Sequence, residues 1–168
     1  LTVYRDHGDD YLTRAIDFSS DVNEVKDFLS AQHAAGGGDY EEAVEEALKV
    51  SLSQSWNEKA KARILFLMLD APPHLNQENV AMIKSQIAKA KEQGIKIIPV
   101  VASGANKEVE FLMRSFSVST SATYVFLTDD SGIGNDHIEA TTESFKVEKL
   151  NDLIVRLIEQ YAGVQTAV

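Results

Sequence analysis

Three short stretches combine carboxylates, glycines and turn formers in the way a ligand site does. They are GGGD at residues 36–39, DAPPH at 70–74 and SGAN at 103–106. Asp39 and Asp70 offer the hard oxygen donors that Mg²⁺ or Ca²⁺ takes. Two carboxylates aimed at one point repel each other, and a cation between them resolves the conflict. Gly38 lets the backbone pass close to a ligand, while His74 and Ser103 stand at the rim of the same loops. Each residue also has a plainer role. Asp39 is a good helix N-cap, Asp70 a turn residue, and a histidine beside two prolines is more often structural than catalytic.

Other chemistries lack their residues. GGGDYEE has neither the G-x-x-x-x-G-K-[ST] spacing nor the lysine of a phosphate cradle, and its acids would repel a phosphate. No G-x-S-x-G elbow or H-E-x-x-H pair occurs. Without cysteine there is no disulfide and no thiolate metal site. His7 and His137 fall in polar loops and His33 near a helix end, so spacing supports no catalytic dyad among them.

These loops need elements to hold them. Ile64 to Leu69 is a continuous apolar run too short for a free-standing helix, as in a strand covered on both faces. Pro72 and Pro73 lack the amide hydrogens a sheet needs, so the strand ends near Asp70, where open α/β sheets bind ligands. Downstream the pattern predicts helix 76–93, strand 95–102, helix 106–116, strand 123–127 and helix 147–161, with Gly94 as a left-handed cap. Such alternation implies a parallel sheet with helices on both faces. The last helix should turn Leu150, Leu153, Ile154, Leu157 and Ile158 inward. Pro99 inside KIIPVVAS points to an edge strand or a bulge.

Upstream, 1–5 and 11–18 read as strands joined by DHGDD, a link too short for anything but antiparallel pairing. Ser20 or Asp21 opens a helix with Val22, Val25, Phe28 and Leu29 on one face. Asp39 would start the next, with Glu42 in capping-box register. The segment TDDSGIGNDHIEAT, 128–141, reads as a long loop at the Asp70 end of the sheet, and Asp130 in it is a further rim residue.

At 168 residues the chain is long enough for one domain with a sizeable core. A net charge of −10 excludes a general nucleic-acid binder and is compatible with attracting a divalent cation. No apolar run approaches the roughly 18 residues of a membrane-spanning helix.

The ordered motifs YRDHGDDYLTRAIDF (4–18), AAGGGDYEEAVEEAL (34–48), SW (55–56) and LDAPPH (69–74) resemble the middle of a von Willebrand factor A domain. The similarity is to the microbial subgroup that includes the domains of alpha-kinases. IIPVVASG (97–104) and YVFLTDDSGIGNDHIEAT (124–141) resemble bacterial members. The resemblance covers nearly the whole chain and implies a single domain, 1–168, with a doubly wound, mostly parallel sheet and one antiparallel edge strand. It implies a metal site built from three loops at the carboxyl ends of the strands, completed by a partner's acidic side chain. Asp70 matches the third-loop aspartate, and Asp39 is the residue near the second-loop threonine.

The first-loop Asp-x-Ser-x-Ser has no match, so the expectation is a chain that begins after the first strand and a site that holds metal weakly. Expected cofactors are Mg²⁺ or Mn²⁺, ahead of Ca²⁺, since two protein carboxylates leave positions for water. The expected function is protein interaction or adhesion without catalysis. It would have a protein partner, no nucleic acid and no membrane insertion, and the resemblance leans toward a bacterial envelope or extracellular location. The alternative is a Mg²⁺-dependent hydrolase or phosphoryl-transfer domain using Asp39, Asp70 and His74.

Overall fold

The structure is a computed structural model that describes residues 1–36, 38–129, 136, 137, 139 and 141–163. They form a mixed α/β fold with five helices, a two-stranded antiparallel sheet and a three-stranded parallel sheet. The chain divides into two compact units, one made of 1–57 and 71–92, the other of 58–70 and 93–168.

In the first unit, β1 (Thr2–Tyr4) pairs antiparallel with β2 (Thr13–Ala15), as the short DHGDD link requires. The helix α1 (Val22–Ser30) begins where Asp21 accepts a bond from the Asn23 amide. Helix α2 (Val44–Leu52) packs on both strands, and α3 (Gln77–Glu92) packs on α2. The inner face of α2 is Val44, Ala47, Leu48 and Leu52, all buried.

The start of α2 differs from the capping-box expectation. Its N-cap is Ala43, with no side-chain cap bond, so Asp39 does not cap it. The reason is the Glu42 amide, which donates to the Pro72 carbonyl at 2.9 Å and forms a parallel bridge at Glu42 and Pro73. That bond holds the chain extended up to residue 42. Pro72 lacks an amide hydrogen but still accepts, which is all this bridge asks of it.

The second unit is built on β3 (Arg63–Leu69), β4 (Ile95–Val101) and β5 (Val125–Phe126), parallel and in that order. Central β4 is buried on both faces, with Ile97, Ile98, Val100 and Val101 at 2% exposure or less. Helix α4 (Lys107–Ser119) packs against it, opened by Asn106, whose side chain accepts from two amides. Helix α5 (Leu150–Ala162) covers the face of Ile98, Val100 and Val125 with Leu150, Leu153, Leu157 and Tyr161.

Two expectations need correction here. Pro99 lies in the central strand, not at an edge or bulge. The Ala102 amide bonds the Leu69 carbonyl, so by alternation the Pro99 nitrogen points toward β5. Pairing with β5 starts only at Val100 and Val125, so the missing N–H falls where no ladder bond is due. The last helix begins at Leu150 rather than 147, and Ile158 is 44% exposed while Tyr161 joins the apolar stripe.

Leu157 is fully buried in the α5 contact. Leu157→Ala should lower unfolding stability by about 2–5 kcal/mol, the range for a large-to-small core change, measured by urea denaturation. The exposed Val155→Ala on the same helix should change it by about 0.5 kcal/mol or less.

Candidate functional site

The first unit gathers Asp6, Asp39 and His74 so that one ligating atom from each lies within 4.8 Å of the others. Asp6 follows β1, Asp39 ends the glycine-rich turn, and His74 follows the two prolines. Asp6 is buried, His74 partly buried and Asp39 exposed, so the group opens to solvent on the Asp39 side.

The glycine turn is shaped by close approach. Gly36 has φ +109°, a conformation side chains rarely adopt, and any Cβ there would collide with the Asp9 carboxylate. The same Asp9 carboxylate accepts the Asp6 amide at 3.3 Å, which pins the DHGDD turn.

His74 Nε2 and Asp6 Oδ1 are 2.7 Å apart. Hydrogen bonding to Asp6 raises the His74 pKa; burial opposes this, and the charges of Asp6, Asp39 and Glu45 add to the rise. For Asp6, burial pushes the carboxyl pKa up, but the bonds from His74 and the His7 amide outweigh it, and the net shift is downward. The pair therefore favours imidazolium against carboxylate.

A second layer lies behind it. Glu45 on α2 is fully buried, and its Oε1 is 2.9 Å from His7 Nε2 and accepts Asn79 Nδ2 at 3.2 Å. Its other oxygen, Oε2, is buried with no hydrogen-bond partner among the described residues. The His7 and His74 rings meet edge to face at 5.7 Å, so the two carboxylate–histidine pairs stand side by side.

The remaining candidates are not part of this cluster. Gly38 is exposed beside Asp39. Asp70 is exposed at the end of β3 and Ser103 lies in the turn after β4, both in the second unit. Asp130 and most of the 128–141 loop lie outside the described residues.

Sequence reasoning missed Asp6 and Glu45. Asp6 reads as one of four polar turn residues in DHGDD, and Glu45 as one of four acids in EEAVEE. A usable signal for Glu45 was its position one residue after Val44 and two before Ala47, on the inward side of an amphipathic helix.

No protein-family model matches this sequence, and no curated protein matches it.

The Asp6–His74 pair has a defined pH signature. A raised histidine pKa contributes stability that is complete below the ordinary value of 6.5 and is lost as pH rises through the folded value. A lowered aspartate pKa contributes stability present above 3.8 and lost as pH falls through the folded value. In metal-free buffer, wild type should therefore exceed His74→Gln by most between pH 3.8 and 6.5. Urea titrations across pH that show a constant or growing gap above pH 6.5 would contradict the pairing.

Proposed function

We propose that the chain is a protein-interaction module of the von Willebrand factor A type, holding its partner through a divalent cation. The observation that carries the reading is the convergence of Asp6, Asp39 and His74 from three separate loops. The ordered YRDH, GGGD and DAPPH motifs that resemble that family supply all three. The α/β character, with one antiparallel pair and a parallel sheet, is compatible with it.

Two carboxylates and an imidazole are a donor set that suits Mn²⁺ and neighbouring transition ions; Mg²⁺ and Ca²⁺ prefer oxygen alone. A cation here would compete with a proton for His74, and would relieve the repulsion among Asp6, Asp39 and the buried Glu45. Three protein donors leave positions for water or for a partner's acidic side chain. Asp70, the donor that the family resemblance favours, is the rival to His74 and Asp6.

Catalysis is a poorer fit. In the metal-free protein the raised His74 pKa keeps that imidazole protonated further toward neutrality, which weakens it as a general base. A metal-assisted hydrolase using Asp39, Asp70 and His74 would also need a positioned nucleophile or water, for which these residues give no separate support.

Titration of Mn²⁺, followed by electron paramagnetic resonance, tests the site. Asp6→Asn and Asp39→Asn should each weaken binding by roughly tenfold or more, while Asp70→Ala leaves it unchanged. Loss with Asp70→Ala alone would move the site to the end of β3. N-acetylglutamate amide should bind the Mn²⁺-loaded protein and be released by a chelator. Retention after chelation would remove the cation from the recognition step.

A further inference from the structure

We infer that the second unit carries a separate docking groove for an extended peptide segment in which apolar and acidic residues alternate. The groove lies between the outer edge of β5 and the residues that lead into α5, and it encloses about 710 Å³. It is lined by residues 123–128 on one side and by Phe145, Val147, Leu150 and Leu153 on the other. Phe145 and Val147 remain 52% and 54% exposed, and the Phe126 ring meets the Phe145 ring edge to face at 5.6 Å. This is an apolar floor that the described residues leave open.

Its backbone asks for a strand. The Leu127 amide donates to the Val101 carbonyl at 2.8 Å, so the Leu127 peptide groups face β4. By alternation the N–H and C=O of Phe126 face away from β4, into the groove. β5 is the last strand of its sheet among the described residues. An added strand would satisfy these groups; β5 itself spans Val125–Phe126, about 7 Å of edge, and the groove is lined by residues on both sides of it.

Charge selects the occupant. Among the described residues that line the groove, Lys146, Lys149 and Arg156 stand with a single carboxylate, Glu148. Glu148 is committed to Arg156, which bonds it through Nε at 3.1 Å, and it lies 3.7 Å from Lys146. The rim is therefore net positive on a chain whose net charge is −10. The rim favours a partner segment with acids between its apolar residues, while the −10 net charge carried by each copy opposes self-association. Upstream of that wall the Thr141 hydroxyl bonds the Glu110 carboxylate, as does Arg114.

The test uses the whole chain and defined hexapeptides, followed by fluorescence anisotropy and by the Phe126 amide resonance. Acetyl-EVEVEV-amide should bind and shift that resonance, and acetyl-KVKVKV-amide should bind roughly tenfold more weakly or not at all. Lys146→Glu combined with Lys149→Glu should reverse that order. N-methylation at all valines and, separately, at all glutamates blocks opposite edges of the peptide. One version should lose binding and the other keep it, as a single added strand requires. Equal binding by both methylated forms, no preference between acidic and basic peptides, or no binding up to about 1 mM would overturn the inference. So would self-association of the chain that the peptide disperses, which would make a second copy the occupant.

Discussion

A carboxylate taken out of water must be met by donors or by positive charge, and Asp6 is met by His74 across 68 residues of sequence. Much of the first unit's loop geometry follows from satisfying that demand. His74 can reach Asp6 because Pro72 and Pro73 deliver the chain to a bridge with Glu42, and Glu42 leads directly into α2. α2 then brings Glu45 beneath both histidines and packs its apolar face on β1 and β2. Removing Asp6 would leave an imidazole without its anion, and removing His74 would leave a buried anion without its cation. Breaking such a pair costs more than the pair contributes on its own.

The second unit answers to a different constraint, the need to bury a strand on both faces. β4 takes that place with side chains that are apolar at nearly every position, and the helices on either side share the work. The Ile97 amide shows how its edges are completed. Beyond the reach of β5 it is satisfied by the Thr120 hydroxyl, at the point where α4 ends. The segment that ends a helix thus also finishes a sheet edge.

The broad pattern of elements was legible because it rests on local signals. The antiparallel link, the helix opened at Asp21, the left-handed Gly94 and the parallel pairing of 63–69 with 95–101 all follow from spacing or residue type. What failed depended on partners distant in the sequence. Asp39 and Glu42 form a correct capping-box pattern, yet the Pro72 carbonyl claims the Glu42 amide first. Pro99 looks like an edge residue until the register shows which side its nitrogen faces. At the site, Asp39 and His74 were readable as donors, whereas Asp6 becomes one only through burial. Burial is a property of the folded chain and not of the hexapeptide around it.

The chain leaves the first unit after Asn57, returns to it at Ala71 and leaves again after Glu92. Neither unit is therefore a continuous stretch that a ribosome could release and let fold. The hairpin and α2 emerge early but lack α3 until residue 92 has been made, and β3 emerges before the β4 it must pair with. During synthesis two half-built cores are held open together, and an apolar strand waits without its neighbour. The first unit has all its elements once residue 92 is made, while the second still waits for β4, β5 and α5. A cut in the 58–70 connection after folding would leave every element present. The same cut during synthesis would part the 1–57 segment from α3 before that helix exists.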